Sequence, residues 1–533
     1  MARKSVPDIS KMSIREKVEQ TMVVYISKKE KLDFTAGGAF FGGEIITAAD
    51  EEGVEKLRAY VDKFSDECNI PPLITSDFEY GCGSMIKGLT PFPFLMGLGA
   101  TQDAELAYDY GKATAIEARS VGANWSFSPV CDLNKNHRNP LVSIRSMTDD
   151  EELASKMIPQ IVCGMQNYGL AACAKHFPGD GMDYRDQHIT TTKNSLTMGE
   201  WRSSFGKVYK SLINAGLYSV MAGHITLPDY PQELSERYGL PLPGTLNKEL
   251  INNLLKGELG FDGVVVTDAL QMGGFQGWYD TKEIAEIESF KAGCDMMLWP
   301  SKTYADNLER AVLSGEVPME RLDDAVTRIL CMKEKLGLFD ENFKRFYDLT
   351  EADHEFIKGV QQRCVNQSIT LVRDRQKHFP LSLEKIKQIG IITLTEYDAV
   401  KEDAAVLKEE FEMRGFSVLY DDAGIDFDDD KREAFYEKCD LVIYAMYSRP
   451  FRPIGFIDYT QGRAWQIGKA FMPPYAMDKT VFVSFGSPYM GNQYLEKAST
   501  YVNAYAPLEC SVRGFARAAC GEIEFQGVSP VKL

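Results

Sequence analysis

The chain of 533 residues has no excess of basic side chains. Its 77 acidic residues outnumber the 59 basic ones and give a formal net charge of −18. Nucleic acids and anionic membranes both attract proteins through a basic surface. The composition therefore argues against either as the main partner, and it leaves room only for a local basic pocket that binds an anion.

Long apolar runs and a targeting segment are also missing. No stretch reaches the roughly 18 uninterrupted apolar residues that a membrane helix needs. The N-terminus MARKSVPDISKMSIREKVEQ has basic residues without an apolar run behind them, so it shows no secretory signal. The eleven cysteines are scattered and form no CxxC pair, as is typical of reduced thiols. These features predict a cytoplasmic protein without a membrane span.

Motifs for nucleotides and metals are absent as well. No GxGxxG follows a predicted strand, and no Walker loop occurs. The acidic run at 426–433 lacks the spacing of an EF-hand and is predicted to be a solvated loop. A zinc site at His176, His188 and His224 is a weak alternative, because no HxxxH or HxH spacing supports it. The sequence therefore predicts no cofactor and no metal.

Eight short apolar runs occupy the first two-thirds of the chain. Helical patterns separate most of them, for example at 51–67 and 103–122. Eight strands, each followed by a helix, fit a TIM-like (β/α)8 barrel, and an open doubly wound α/β sheet is the alternative. The runs lie at 21–26, 38–43, 72–79, 123–133, 171–179, 218–225, 263–270 and 293–300.

The pattern changes near residue 345. A long helix is predicted over 351–369, and the apolar runs that follow it are typical of buried parallel strands. We expect a barrel over 1–345, a linker and helix over 346–380, and an α/β sandwich with a mainly parallel sheet over 381–533. The later strand runs lie at 388–394, 416–422, 440–447, 479–488 and 500–506.

Ionisable residues collect at the carboxyl ends of the predicted barrel strands. Barrel enzymes build their sites at that end, and an unpaired buried charge is too costly to be common there for packing reasons alone. This distribution favours the barrel and predicts a functional site. The residues are Asp77, Glu79, Asp132, Lys175, His176, His224 and Asp268.

Each candidate also has a plain structural interpretation. Asp268 ends the strand VVVTD, where it can be a nucleophile or base, or simply cap the next helix. In RDQH, Asp186 can bond one ring nitrogen of His188 and favour the protonated ring, or the two can form an idle surface pair.

Lys175 and His176 end the strand AACAKH. They can donate to hydroxyls of a polar ligand, or serve as ordinary ion-pair and core partners. Neighbours on a strand face opposite sides, so one of the two could face inwards while the other packs laterally. Alternatively, a twist at Phe177–Pro178–Gly179 could bring both to the mouth of the barrel.

The pattern KHFPGxGx4DxH at 175–188, followed by a strand that ends in VTDAL, resembles glycoside hydrolase family 3 in its β-N-acetylglucosaminidase branch. The resemblance continues through ITSDFEYG, SFSPVCDLN, NPLVSIRSMTDD, VMAGHITLPDY and FARAACGEIEFQGVSPVKL. It spans nearly the whole chain. The family's barrel, often followed by an α/β sandwich, agrees with the strand pattern.

The resemblance implies specific roles. Asp268 matches the catalytic nucleophile, His188 the acid/base, and Asp186 its partner. Two positions depart from the family pattern: Met85 stands where a sugar-contacting arginine is expected, and Asp180 where histidine is frequent. The substrate-binding candidates are Asp77, Arg145, Lys175, His176, His224, Asp132 and Met272.

The implied activity is that of a retaining exo-β-N-acetylglucosaminidase that acts on short oligosaccharides, such as peptidoglycan or chitin fragments, as in peptidoglycan recycling. A neutral imidazole does not repel an anion as a carboxylate does, so phosphorolysis of a β-N-acetylglucosaminide or β-glucoside is an alternative. A sugar-binding protein without catalysis and a metal-dependent hydrolase are further alternatives. The expected partner is a small oligosaccharide, with inorganic phosphate as a possible acceptor.

Overall fold

The computed structural model describes residues 6–26, 36–42, 51–395, 401–421, 429–448, 478–489 and 498–533. The chain divides into two compact units that interleave along the sequence. None of the described helices combines the length and the apolar character that a membrane crossing requires. The first unit comprises Met1–Phe92, Ala104–Asn139 and Asp150–Val360, and the second comprises Pro93–Asp103, Pro140–Asp149 and Gln361–Leu533.

Short parallel strands form the centre of the first unit. Each of the eight predicted apolar runs contains one of them, and the two-residue strands β6 and β8 pair separately. The strands are β1 Met22–Ile26, β2 Gly38–Phe41, β3 Leu73–Ser76, β4 Trp125–Ser126, β5 Cys173–Phe177, β6 Thr192–Lys193, β7 Ser219–Ala222, β8 Ile225–Thr226, β9 Val264–Thr267 and β10 Met297–Leu298.

The strand order follows the order along the chain. One sheet runs β10-β1-β2-β3-β4 and another runs β5-β7-β9, with parallel pairing throughout. Isolated parallel bridges join Trp125 to Ala171 and Val266 to Met296. The carboxyl ends of these parallel strands therefore point in a common direction, which brings the residues that follow them together.

Helices connect the strands and cover them. The predicted helical patterns at 51–67 and 103–122 correspond to α2 and α4. Several begin after a residue that caps them, such as Asp150, whose side chain accepts from the Glu152 N–H before α5. The helices up to residue 368 are α1 Ile14–Gln20, α2 Glu51–Glu67, α3 Leu95–Thr101, α4 Ala104–Ser120, α5 Glu151–Asn167, α6 Met198–Ser203, α7 Phe205–Asn214, the π-helical Glu249–Glu258, α8 Lys282–Ala292, α9 Tyr304–Leu313, α10 Met319–Lys335 and α11 Glu351–Ser368.

The second unit contains a six-stranded sheet of order β11-β16-β15-β14-β12-β13. Every neighbouring pair is parallel except β11 with β16, which is antiparallel. Its elements are β11 Thr370–Asp374, β12 Gln388–Thr395, α12 Lys401–Met413, β13 Ser417–Asp421, α13 Asp429–Lys438, β14 Leu441–Tyr447, β15 Thr480–Phe485, β16 Thr500–Asn503 and α14 Glu509–Ala519.

Apolar clusters cover both faces of this sheet. Ile391 belongs to a cluster with Phe411 of α12 and Phe515 of α14. The next residue, Ile392, faces the other way and joins a cluster with Tyr436 of α13. Burial on both faces is the reason that these strands read as continuous apolar runs in the sequence.

Two local expectations for this unit were wrong. Strand β11 was not predicted, because it is half-exposed at the edge of the sheet and TLVRD has a weak apolar pattern. Part of the acidic run at 426–433 is not a loop, since α13 begins at Asp429. Acidic residues are favourable in the first turn of a helix, where they face the positive end of its dipole.

Candidate active site

Lys175 is held between two carboxylates beyond the end of β3. Its Nζ donates to Asp77 Oδ1 at 2.7 Å and lies 2.8 Å from Glu79 Oε1. The lysine is 3% exposed, whereas the Asp77 side chain is 35% exposed. Such a buried ammonium is tolerated because opposite charges surround it. The ion-pair interpretation of Lys175 therefore holds, and Asp77 is the more accessible partner.

His176 links two other carboxylates. Its backbone N–H donates to Asp132 Oδ1 at 3.1 Å, and its Nδ1 lies 2.7 Å from Asp132 Oδ2. Its Nε2 lies 3.9 Å from Asp268 Oδ2. The double contact with Asp132 fixes the ring so that the opposite nitrogen faces Asp268.

The side chains of Lys175 and His176 both point towards carboxylates of the site. Lys175 contacts Asp77 and Glu79, and His176 lies between Asp132 and Asp268. Of the two alternatives that the sequence left open, the one in which both residues reach the site holds, and the register of β5 against β7 shifts between Ala174 and Phe177. At such an irregularity the simple alternation of faces is interrupted. The strand thus supplies two neighbouring cationic or donor groups to one site.

Asp268 follows β9 and is buried. Its Oδ1 accepts from the Ala269 N–H at 2.7 Å, and its own N–H donates to the Ala222 carbonyl at 2.8 Å. It does not cap a helix, since the next one, α8, begins after Thr281. The structure therefore excludes the interpretation that Asp268 only caps the next helix.

The charge state of Asp268 depends on its neighbours. Burial alone would raise the pKa of its carboxyl, but the charges of His176, His224 and His188 and the Ala269 N–H oppose that effect and lower the pKa below its usual value. The carboxylate is therefore ionised at neutral pH, and it can act as a nucleophile or an electrostatic partner.

The Asp186–His188 pair forms as the sequence predicts. The backbone N–H of His188 donates to Asp186 Oδ1 at 2.8 Å, and His188 Nδ1 lies 2.7 Å from the same oxygen. The Asp186 side chain is fully buried and the His188 side chain is 39% exposed. Because the carboxylate engages Nδ1, any proton exchange with a ligand would use Nε2.

The loop that carries His188 lies against the segment that follows Asp268. The Gly273 N–H donates to the His188 carbonyl at 2.7 Å, and the Gly274 N–H donates to the Gln187 carbonyl at 3.1 Å. His188 is also among the charges that lower the Asp268 pKa. The structure thus brings these two sequence-predicted groups together.

His224 is buried beside them and bonded at both ring nitrogens. Its Nδ1 lies 3.0 Å from Thr245 Oγ1, and its Nε2 lies 3.1 Å from the Ala269 carbonyl. Burial lowers the pKa of its ring despite the charge of Asp268. This environment gives His224 a structural role next to Asp268, and a direct contact with substrate stays a prediction.

The remaining substrate-binding candidates are Met272 and Arg145. Met272 is 8% exposed and belongs to the apolar cluster at the centre of the first unit, with Met85 partly buried against the same cluster. Arg145 is part of the second unit, where its Nη1 donates to the Leu141 carbonyl at 3.3 Å. The role of Met272 and Arg145 in substrate binding stays a prediction.

Sequence reasoning noted Asp180 only as a departure from the family pattern, and it missed several other residues of the network. Asp180 donates its N–H to Asp132 Oδ1 at 2.7 Å, and burial together with the Asp132 charge raises its pKa to about 7. Gln187, Gly273 and Gly274 were not singled out, although the paired glycines soon after VTDAL were a visible signal. Among the described residues, no group of three or more His, Cys, Asp or Glu side chains is arranged to hold a metal ion.

Comparison with known proteins identifies the family of the chain. The family model described as the glycosyl hydrolase family 3 N terminal domain matches residues 13–332. The chain belongs to glycoside hydrolase family 3. A family relative, the "Beta-N-acetylglucosaminidase/beta-glucosidase" of Cellulomonas fimi, is 31% identical and covers 98% of this chain and 94% of its own length.

Two solved structures of similar proteins extend over both units. "Beta-glucoside phosphorylase BglX" has a TM-score of 0.84 at 29% identity, over 98% of this chain and 94% of its own. A glycoside hydrolase family 3 beta-N-acetylglucosaminidase from Paenibacillus sp. str. FPU-7 has a TM-score of 0.81 at 26% identity, over 98% and 99%. This family 3 enzyme is therefore similar both to hydrolases and to a phosphorylase.

The buried ion pair of Lys175 leads to a stability prediction. The Lys175→Met variant should melt several degrees lower, because it removes the ammonium that lies 2.8 Å from the buried Glu79 carboxylate, and loss of one partner of a buried ion pair costs roughly 3–5 kcal/mol. Adding Glu79→Gln should recover part of the loss. Thermal unfolding followed by circular dichroism measures both.

Lys248→Met, which removes an exposed pair with Glu233, is the control, and its melting temperature should change little. An unchanged melting temperature for Lys175→Met would contradict the assignment.

Proposed function

We propose that this family 3 enzyme is a retaining exo-β-N-acetylglucosaminidase with Asp268 as nucleophile and His188 as acid/base. One observation carries the proposal. A buried carboxylate whose pKa is lowered lies against the loop in which a half-exposed ring is held by a buried carboxylate. A protein that only binds sugars has no need of this combination, because hydroxyl contacts would suffice.

In the first step, an oxygen of Asp268 attacks the anomeric carbon of the terminal sugar. The glycosidic bond breaks as the proton on His188 Nε2 moves to the leaving oxygen, and a covalent glycosyl-enzyme forms. In the second step, the neutral ring takes a proton from water. The resulting hydroxide attacks the same carbon and releases Asp268, so the configuration is retained.

The neighbouring residues support these two groups. Asp186 holds the proton on Nδ1 of His188 and stabilises the charged ring, as a carboxylate does for a catalytic histidine in other hydrolases. His176, fixed by Asp132, stabilises the Asp268 carboxylate. We propose that Asp77, Lys175 and His176 contact sugar hydroxyls, and that His224, Asp132 and Met272 complete the pocket. A role of Arg145 in substrate binding stays a prediction.

We also propose that the strands of the first unit close into a (β/α)8 barrel. The two isolated bridges support this, because they connect β4 to β5 and β9 to β10 in the order of the chain. The indole of Trp125 in β4 donates to Ser219 Oγ in β7 at 2.8 Å, across strands that are not neighbours. The clusters on both faces of the second sheet support an α/β sandwich. The predicted domain boundaries at 345 and 380 stay predictions.

The proposed substrate follows from the chemistry of the site and from the activities of the relatives. The two N-acetylglucosaminidase relatives support a β-linked N-acetylglucosaminide as substrate, and the β-glucosidase activity of the Cellulomonas fimi relative adds glucosides. Peptidoglycan or chitin fragments as its source, and a cytoplasmic location, stay predictions.

Phosphorolysis is the second candidate. The similarity to a beta-glucoside phosphorylase supports it, as does the use of a histidine that would not repel phosphate.

The acid role of His188 predicts a dependence on the leaving group. His188→Ala should slow cleavage of disaccharides and other poor leaving groups by roughly 10²–10⁴-fold, the usual value of general acid catalysis. Formation of the glycosyl-enzyme from an activated aryl glycoside should change much less, because such an aglycone leaves without a proton. Burst kinetics on the two substrate types measure this step. Equal losses on both would remove His188 from the acid role.

One experiment can identify both the sugar that the enzyme removes and the acceptor, water or phosphate, to which that sugar is transferred. We expect aryl β-N-acetylglucosaminide to be cleaved faster than aryl β-glucoside, with free N-acetylglucosamine as the product. In phosphate buffer, a sugar 1-phosphate would instead identify the enzyme as a phosphorylase. Product analysis by NMR with and without phosphate distinguishes the two. Turnover of neither aryl glycoside under any of these conditions would contradict both candidates.

A further inference from the structure

The loop that carries His188 is held by contacts that do not involve its ring. The carbonyls of His188 and Gln187 accept from the N–H groups of Gly273 and Gly274 at 2.7 and 3.1 Å. The side-chain oxygen of Gln187 accepts from the His224 N–H at 3.0 Å. Three hydrogen bonds thus tie two consecutive residues of the loop to the segments that follow β7 and β9.

The two glycines allow an approach that no other residue would permit. A Cβ at Gly273 would lie 2.1 Å from the carbonyl oxygen of Ile189 and 3.1 Å from that of His188. A Cβ at Gly274 would lie 2.6 Å from the carbonyl oxygen of Gln187. These are backbone atoms of the loop, so even an added methyl group can be accommodated only if the loop moves away.

Gln187 connects the loop to the neighbourhood of the nucleophile. Its side chain is fully buried, although it lies between the two residues of the proposed dyad. The residue that it contacts, His224, places its ring Nε2 3.1 Å from the carbonyl of Ala269, which directly follows Asp268. A displacement of Gln187 would therefore move His188 relative to Asp268.

We propose that Gly273, Gly274 and the N–H of His224 form a seat for the catalytic loop, and that Gln187 is the positioning residue that locks the loop into this seat. The seat holds His188 in its working position before substrate arrives. This proposal rests on the proposed role of His188 and adds the residues that place it. A misplacement of about 1 Å can cost roughly 10²-fold in rate, so small changes in the seat should have large effects.

The test uses Gly273→Ala, Gly274→Ala and Gln187→Met, with His188→Ala as the reference and Gly359→Ala as the matched control. A Cβ at Gly359 would meet nothing within 4 Å. Each seat variant should lose roughly 10²-fold in kcat on a poor leaving group, with KM little changed. Gly359→Ala should behave as wild type.

Azide provides a readout that a general loss of structure cannot imitate. It attacks a glycosyl-enzyme without needing a base, so it should accelerate turnover of an activated aryl glycoside by His188→Ala and by each seat variant, but not by wild type. Glycosyl azide is the expected product. If His188→Ala shows this acceleration and the seat variants do not, the seat proposal is wrong while the proposed function survives. If His188→Ala also shows none, the acid/base assignment itself fails.

The substitutions differ in their risk of misfolding. Gln187→Met preserves the approximate length of the side chain and replaces its amide, including the acceptor oxygen, by an apolar thioether, so it remains informative if a glycine variant does not fold. Circular dichroism confirms the fold of each variant. Wild-type kcat and no azide response in a folded Gln187→Met would overturn its positioning role.

Discussion

The buried carboxylate of Asp268 keeps a low pKa because histidine rings lie around it. Burial would raise this pKa, and the charges of His176, His224 and His188 reverse the effect. Two further carboxylates hold these histidine rings in place: Asp132 orients His176, and Asp186 orients His188. An ionised carboxylate beside a ring that can give and take a proton is the minimum that double displacement at a sugar carbon requires.

Parallel strands explain how such distant residues meet. Asp77, His176, His224 and Asp268 each lie at or just beyond the carboxyl end of a different strand of the first unit, and Asp132 lies further along the segment that follows β4. Because neighbouring strands run in the same direction, their carboxyl ends open at one edge, and side chains from a span of about two hundred residues converge there. The loop with Asp186 and His188 is then fixed from outside, through backbone contacts with the glycines after Asp268.

Periodicity was sufficient to locate eight strands of the first unit, because each of them reads as a short apolar run. It missed β6, a two-residue strand in which Lys193 is exposed. It failed for β11, which is half-exposed at a sheet edge. Within the site, DxH spacing predicted the bond between Asp186 and His188, since both partners lie within three residues. The contact of Gln187 with His224 joins residues 37 positions apart, and no local pattern contains it. The inward direction of both Lys175 and His176 depended on a register shift that the sequence does not reveal.

The most direct test of the account is to identify the residue that becomes covalently linked to the sugar. A fluorinated N-acetylglucosaminyl fluoride that forms the glycosyl-enzyme but releases it slowly should trap the intermediate. Peptide mass spectrometry should then find the sugar on the peptide that contains Asp268, with fragment ions that place it on this carboxylate. A label on any other side chain, or turnover of the compound to a product of inverted configuration without any label, would contradict the account.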